Sequence, residues 1–276
     1  MSARRALAGY AFLLPAAMVY LPLALLPLAA SVALSLHEWN GLAAHWTYVG
    51  LRQYRELLGD AIFWQALAHN LGLIVVSLAI QLPLALGLAV LLHRAGRLTG
   101  LGRTALFIPY VLPTVIIALV WQRLVVQWEP QFLASTTWSL PTCFVAICWR
   151  FLGFHLVLYL AGLATIDPEL YAAAKLDGAG SWACFRHVTL PLLRPVLLVS
   201  ATLAIVGSLK YFDIIYIMTG GGPAHSTELL ATYLFTQSFA AQRYGYGSAL
   251  ATALVALALG GTALAAWVGR RGRRDA

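Results

Sequence analysis

Six long runs of apolar residues leave few folds open to this 276-residue chain. They cover approximately residues 10–34, 71–92, 105–126, 142–162, 196–217 and 249–268. As a helix, each run is long enough to cross about 30 Å of hydrocarbon, which takes roughly 20 residues. The runs are continuous rather than alternating, which argues against the strands of a membrane barrel. We therefore predict an all-α, polytopic membrane protein with six transmembrane helices, in which residues 1–276 form a single transmembrane domain.

The composition agrees with this prediction. Hydrophobic residues make up 61% of the chain and charged residues only 10%, whereas soluble domains have about 25% charged residues. Lys and Arg exceed Asp and Glu, 18 against 10, but the basic residues form short clusters between the apolar runs. Too little soluble chain remains to form a basic face for nucleic acid. We expect membrane lipid around the protein and no nucleic-acid partner.

The basic clusters predict the orientation, because cytoplasmic loops carry an excess of Lys and Arg. With a cytoplasmic N-terminus, twelve basic residues fall on the cytoplasmic side: Arg4, Arg5, Arg94, Arg97, Arg103, Lys175, Arg186, Arg194, Arg270, Arg271, Arg273 and Arg274. The opposite side receives Arg52, Arg55 and Arg243. We therefore expect a multi-pass protein of the cell (inner) membrane with both termini in the cytoplasm.

The first apolar run has two interpretations. It follows Arg4 and Arg5, as the apolar region of a signal peptide does. That region is only about 7–15 residues long, however, and this run is longer. We interpret residues 10–34 as a retained first span rather than a cleaved signal.

The longest cytoplasmic loop, residues 163–190, carries signals for short helices outside the membrane. Asp167 suits an N-cap and Pro168 the first helical position. Gly178 is placed to end that helix near Leu176, since glycine adopts the left-handed backbone conformation readily. Ser181 is the predicted cap of a second short helix.

The first of these helices would carry a small apolar face of Leu170, Ala173 and Ala174. Such a face could sit in a groove on a cytoplasmic partner. Alternatively, the loop packs against the membrane helices of its own chain. The residues alone leave both possibilities open.

The same loop resembles the EAA loop of ABC-transporter permeases. The matching residues are Ala172-Ala-Ala-Lys-Leu-Asp-Gly-Ala179, followed by Leu190-Pro-Leu-Leu-Arg-Pro195. In that family the loop is the coupling helix, which docks into a cleft of the cytoplasmic ATPase. The resemblance assigns ATPase coupling to Ala173, Ala174, Asp177, Gly178 and Ala179. Ala172 stands where the family pattern has Glu, and Glu169 lies one turn earlier.

A second block ends the fifth run. It reads Phe212-Asp-Ile-Ile-Tyr-Ile-Met-Thr-Gly-Gly-Gly-Pro223, and its glycines and proline predict a break in the helix. The block is similar to a signature of the maltose and glycerol-3-phosphate type permeases. The segment Tyr48-Val-Gly-Leu-Arg-Gln-Tyr54 resembles that branch as well, with Gln53 in place of its usual Asn. These resemblances imply a sugar, meaning an oligosaccharide or a related polyol, as the substrate.

Polar residues within or beside the runs are costly in lipid and are expected to face the bundle interior or water. His155, Gln81 and Gln122 belong to this set. The candidates for the translocation path are Arg150, Lys210, Asp213, Thr219, Gly221, Gly222 and Pro223. The alternative is that these residues hold helices together or lie at the membrane interface.

We find no motif for catalysis or for a metal. The sequence contains neither GxxxxGK[ST] nor HExxH, and its two GxGxxA matches, beginning at Gly100 and Gly178, follow no strand. The three cysteines show no CxxC spacing. We predict that the chain is not an enzyme and holds no metal or cofactor, with ATP bound by partner subunits.

The resemblance therefore implies one permease subunit of an ATP-driven, solute-importing ABC transporter. The implied partners are a second permease in a heterodimer, two copies of a cytoplasmic ABC ATPase and an extracytoplasmic solute-binding protein. The alternative from another class is a stand-alone secondary transporter, in which Asp213 or Arg150 couples to an ion. A membrane enzyme is a third, more distant alternative.

Overall fold

Long helices form most of the structure. The computed structural model of the chain describes residues 13–94 and 99–274. Its helices are α1 (Leu13–Leu34), α2 (Arg52–Gly59), α3 (Ala61–His93), α4 (Thr99–Val111), α5 (Thr114–Trp128), α6 (Gln131–Ala134), α7 (Ser139–Leu163), α8 (Pro168–Leu176), α9 (Ser181–Leu209), α10 (Asp213–Met218), α11 (Leu230–Phe235) and α12 (Tyr244–Arg274). The two short strands are β1 (His37–Glu38) and β2 (Thr47–Tyr48). Arg4, Arg5 and Arg97 lie outside the described residues, as do the first residues of the first apolar run.

Five of the helices in the described residues are long and apolar enough to cross a membrane, or six if the bent pair α4 and α5 counts as one span. The 25 residues of α7, for example, extend about 37 Å at 1.5 Å per residue, more than the hydrocarbon thickness. The prediction of an all-α, polytopic protein is confirmed.

The third apolar run differs from the single helix expected over residues 105–126. It is divided between α4 and α5, whose axes meet at an angle of 97°. Pro113 stands at the break and cannot donate a backbone hydrogen bond, and a proline disfavours helical geometry in the residue before it, here Leu112. A hydropathy pattern does not reveal this break, because Leu112 and Pro113 add no charged or polar residue to the apolar run.

The helix of the second run begins at Ala61, well before the predicted start at residue 71. Its first turns contain polar residues, among them the fully buried Asn70. Asn70 Nδ2 donates to the carbonyl oxygen of Ser208 at 2.6 Å, and Asn70 Oδ1 accepts from the N–H of Leu230 at 2.9 Å. These bonds allow a polar side chain to be buried inside the helix, which a hydropathy pattern does not reveal.

The chain consists of two compact units. The first consists of the described part of Met1–Asp60 together with Leu234–Val255. In it, β1 and β2 pair antiparallel, with His37 opposite Tyr48. The Trp39 ring stacks on the Trp46 ring, with centroids 6.0 Å apart. This hairpin follows α1 directly and is rich in aromatic residues, as is typical of membrane interfaces.

The second unit consists of Ala61–Tyr233 and the described part of Ala256–Ala276. One of its apolar clusters contains Leu73, Ile117 and Ile214, and another contains Ala85, Leu156 and Leu193. Helices α4 and α7 approach closely at Gly153, where an added Cβ would overlap the carbonyl group of Leu106. The polar sites described next all lie in this unit.

Candidate functional site

The loop after α7 contains the short capped helix α8. Asp167 is its N-cap, with Oδ1 accepting from the N–H of Glu169 at 2.9 Å, and Pro168 is its first residue. The helix ends at Leu176, and Gly178 follows with a positive φ of 83°. The N–H of Gly178 bonds the carbonyl oxygen of Lys175 at 3.0 Å. Both predicted ends of this helix are confirmed.

Helix α8 and the start of α9 expose large apolar side chains at the surface of the chain. The exposed fractions are 46% for Leu170, 90% for Leu176 and 70% for Trp182. We call these three residues the outer patch. Leu176 and Trp182 extend the small apolar face expected from the sequence. A partner that covered these residues would be stabilised on binding, since burying one such side chain contributes about 1.5–3 kcal/mol.

The five residues assigned to ATPase coupling lie on or just after α8. Ala173, Asp177 and Gly178 are exposed, and Ala174 and Ala179 are half-buried. The N–H of Ala179 donates to the carbonyl oxygen of Ala174 at 2.9 Å, so the chain turns back tightly after the helix. Their assignment to coupling remains a prediction.

The second helix of the loop differs from the expected one. Its N-cap is Gly180 rather than Ser181, and no side chain caps it. It is also not a separate short helix, because it continues through a π-turn, Phe185–Thr189, to Leu209. Pro191 lies inside the continuous helix, just after the π-turn, where the hydrogen-bond pattern is already altered. The loop and the fifth apolar run are therefore joined by one long helix, α9.

Arg150 lies in the middle of α7 beside the break between α4 and α5. Its Nη2 atom donates to the carbonyl oxygen of Leu112 at 3.4 Å, and its guanidinium lies over the rings of Tyr110 and Phe151, at 5.7 and 5.1 Å. The carbonyl of Leu112 has lost its helical partner, because Ile116 N–H bonds Pro113 instead. This arrangement suits a residue that holds α7 against the carboxyl end of α4.

Lys210 and Asp213 lie on either side of the break between α9 and α10, so they do not share one helix. Both are exposed. Within residues 13–94 and 99–274, no ion pair joins them. Gln122 Nε2, in contrast, donates to the carbonyl oxygens of Ile217 and Met218, both at 3.2 Å, and so ties α5 to the end of α10.

The glycine-rich segment after α10 forms an internally bonded turn. Thr219 Oγ1 and Thr227 Oγ1 are 2.7 Å apart, and the Thr227 hydroxyl donates to the carbonyl oxygen of Gly222 at 2.8 Å. Gly221 has a φ of 89°, and an added Cβ there would collide with the buried carboxylate of Glu228. The expected break in the helix is confirmed. A role of Thr219, Gly221, Gly222 and Pro223 in translocation remains a prediction.

A cavity of about 200 Å³ lies between α3, α4, α7 and α9. Its lining mixes aromatic rings with polar groups. The rings are Tyr110, Phe151, Phe154 and Tyr211, and the polar residues are Ser77, Gln81, His155 and Ser208. Among the described residues, neither Gln81 Nε2 nor the Tyr211 hydroxyl has a hydrogen-bond partner. Buried polar groups are normally bonded, so two unbonded groups beside this cavity are unusual.

None of the seven candidate path residues lines this cavity, although Arg150 stacks on two of its rings. Sequence reasoning placed Gln81 and His155 among the interior polar residues but did not single out Tyr211, Ser77 or Ser208. Tyrosine and serine are common in membrane helices, so their type alone carries no signal. The weak signal for Tyr211 is its position next to Lys210, where two polar residues interrupt an apolar run.

Comparisons with known proteins agree with these features. Residues 81–274 match the family model described as "Binding-protein-dependent transport system inner membrane component". A probable ABC transporter permease protein of Pyrococcus horikoshii is 33% identical over 267 residues, 90% of each chain. The trehalose/maltose transport system permease protein MalF of Thermococcus litoralis is 32% identical, covering 99% of this chain and 96% of the relative.

The fold is also that of a solved transporter. A crystal structure of a bacterial ABC transporter involved in the import of the acidic polysaccharide alginate contains a chain with a TM-score of 0.80. The match covers 97% of this chain and 96% of that one, at 22% sequence identity. With the family model spanning residues 81–274 and relatives above 30% identity along almost the whole length, the chain belongs to the inner-membrane components of binding-protein-dependent transport systems, the permeases of ABC transporters.

Proposed function

We propose that this protein is a permease subunit of an ATP-driven importer for a sugar, either an oligosaccharide or a related polyol. The trehalose/maltose permease among its relatives supports a sugar as the substrate, as does the Thr-Gly-Gly-Gly-Pro segment at residues 219–223. Family membership favours this function over a stand-alone secondary transporter.

The outer patch is the observation that carries the proposal. Leu170, Leu176 and Trp182 are large, apolar and exposed on a short helix that is capped at both ends. An amphipathic helix of this kind docks its apolar face into a groove of a partner. The partner is a cytoplasmic ABC ATPase, present in two copies and binding the ATP that this chain does not bind itself. ATP binding there moves α8 and, through it, the membrane helices.

The cavity supplies the place for the solute. Tyr110, Phe151 and Phe154 offer flat apolar rings, and Gln81 and Tyr211 offer free hydrogen-bonding groups. A sugar presents both an apolar ring face and many hydroxyl groups, which match this lining. Rigid-body movement of the helices then opens the cavity alternately to the two sides of the membrane. The chain performs no covalent chemistry in this cycle.

The proposed assembly contains a second, different permease and an extracytoplasmic solute-binding protein. None of the described residues of α1 is buried within this chain, which leaves this helix free to contact lipid or the second permease. Both termini lie in the cytoplasm in the proposed orientation, with α8 on the same side. The solute-binding protein then delivers the sugar to the opposite face.

The test measures docking of the ATPase. The permease would be co-purified in detergent with the ATPase of its own transport system, and the bound fraction determined for Leu176→Asp and for Trp182→Ala. We expect Leu176→Asp to lower the affinity at least tenfold, because truncating or charging a central apolar contact costs about 2 kcal/mol or more.

The matched control is Leu42→Asp, because Leu42 is also highly exposed, with an exposed fraction of 78%, but lies in the hairpin after α1. This variant should bind the ATPase as the wild type does. Equal binding by Leu176→Asp, Trp182→Ala and the wild type would refute docking through the outer patch.

A further inference from the structure

The inner face of α8 borders a second cavity, of about 380 Å³. Pro168, Tyr171 and Lys175 recur at helical spacing and line it, whereas the outer patch lies on other faces of the loop. The opposite walls come from the end of α3, the end of α7 and the start of α9. The helix proposed to dock the ATPase therefore has a cavity behind it instead of a fully packed core.

The polar lining of this cavity favours an anion. Lys175 contributes an ammonium group and His93 an imidazole, and no Asp or Glu is among the described residues that line the cavity. Within the described part of the chain, neither Lys175 nor His93 takes part in an ion pair. An unpaired cation next to hydroxyl groups is a typical environment for a phosphate.

Hydroxyl groups from two helices complete the lining. Tyr171 OH on α8 and Thr189 Oγ1 on α9 lie 3.0 Å apart in a hydrogen bond, which fixes the two walls relative to each other. The Ser181 side chain lies on the same cavity. The apolar floor consists of Val90, Leu163 and Ile166. A volume of several hundred Å³ with a few convergent polar groups is characteristic of small-molecule sites.

We propose that this cavity binds a phosphate-bearing organic ligand, with the phosphate between Lys175 and His93 and the remainder of the ligand against the apolar floor. The source is either a free sugar phosphate of the cytoplasm or the headgroup of an anionic lipid. The bound ligand fills the space behind α8 and restrains the helix, so it regulates how movement passes between the ATPase and the membrane helices. The binding itself is independent of the proposed function, but the regulation rests on it.

The experiment uses the full-length chain alone, in nanodiscs, so that a failure of transport does not affect the result. In one arm the nanodiscs contain only phosphatidylcholine, and binding of glucose 6-phosphate or inorganic phosphate is measured by isothermal titration calorimetry. In the other arm the nanodiscs contain phosphatidylglycerol, and lipid retained on the protein is counted by native mass spectrometry. Saturable binding in either arm supports the site and identifies the source of the phosphate.

Two variants locate the binding. Lys175→Gln and His93→Gln should each weaken it by on the order of tenfold, as expected for the loss of one charge-assisted hydrogen bond. Arg186→Gln is the matched control, because Arg186 is a basic residue of the same loop that does not line the cavity, and it should bind as the wild type does. No saturable binding in both arms, or an equal loss in all three variants, would overturn the proposal.

Discussion

Gly178 shows at the scale of one residue how the coupling loop depends on backbone conformation. Its φ of 83° is strained for any residue with a Cβ, although the space around it is open. We predict that Gly178→Val shifts or unwinds the end of α8 and lowers sugar uptake by at least tenfold in the complete transporter, while the amount of protein in the membrane stays near the wild-type level.

Gly180→Val is the matched control for Gly178→Val. Gly180 also has open space around it, but its φ of −70° and ψ of 174° are extended and suit valine. Uptake and membrane content would be measured for both variants. Equal uptake by the two would show that the left-handed turn at Gly178 is not needed for coupling.

Tyr211 allows a test of the cavity with little risk to the fold. Its hydroxyl makes no hydrogen bond of normal geometry among the described residues, although Arg150 lies close enough to interact with it, so Tyr211→Phe should disturb the folded chain little. If a sugar hydroxyl bonds this group, the variant should raise the KM for uptake about three- to tenfold, which corresponds to about 0.5–1.5 kcal/mol. Tyr20→Phe, the same change on the exposed surface of α1, should leave the KM as it is. An unchanged KM in Tyr211→Phe would argue against a bond to the substrate.

The residue types in the sequence predicted the capping of α8 well, but they predicted the residues that line the cavity poorly. Asp167, Pro168 and Gly178 act through local backbone preferences, which the sequence states directly. Tyr211 and Gln81 line the same cavity only because the helices that carry or precede them pack together, and Asn70 is buried because its partners come from Ser208 and Leu230. Contacts between residues far apart in sequence have no local signal.

At the scale of elements, the pairing of α4 with α7 depends on Gly153. A Cβ there would overlap the carbonyl group of Leu106 and approach the backbone of Phe107, neither of which is a flexible side-chain end. We predict that Gly153→Ala forces the helices apart and lowers the stability of the purified protein by about 1–3 kcal/mol, the usual cost of overpacking. Thermal unfolding in detergent would measure this.

Gly87→Ala provides the comparison for Gly153→Ala. Gly87 also lies inside a long helix, α3, but nothing is within 4 Å of an added Cβ. Because alanine favours a helix over glycine by up to about 1 kcal/mol, this variant should be neutral or slightly more stable. A melting temperature for Gly153→Ala at or above that of Gly87→Ala would contradict the proposed close approach.

Apolar runs predicted where long helices occur but not how they are interrupted or extended. The hydropathy pattern did not predict the break at Pro113, where the structure has a 97° bend. At the start of α9, polar residues and glycines suggested a separate short helix, whereas the helix continues through the π-turn Phe185–Thr189. A π-turn inserts one extra residue without ending the helix, and the local composition gives no signal for it.

At the scale of the whole molecule, the orientation can be tested with two exposed leucines. In the proposed orientation, Leu176 on α8 faces the cytoplasm and Leu42 in the hairpin faces the opposite side. The cysteines Cys143, Cys148 and Cys184 are free, so they can be replaced without loss of a disulfide. We predict that in intact cells a membrane-impermeant maleimide labels Leu42→Cys but not Leu176→Cys.

Inverted membrane vesicles give the complementary measurement. There, the same reagent should label Leu176→Cys and spare Leu42→Cys, because the cytoplasmic face is outside. Labelling of Leu176→Cys in intact cells would reverse the orientation inferred from the basic residues. The positive-inside rule depends on charge in short loops, so a sequence can predict this property without knowledge of the packing.

The continuity of α9 has a mechanical consequence. From Ser181 beside the outer patch to Leu209 beside Lys210 and Tyr211, the helix extends about 40 Å at 1.5 Å per residue. If α9 moves as one body, a tilt of about 10° at one end displaces the other by roughly 7 Å, with the π-turn Phe185–Thr189 and Pro195 as the points where the helix can bend. That distance exceeds the width of a water molecule. A movement of the cytoplasmic end of α9 would thus also displace Lys210 and Tyr211 at the break before α10.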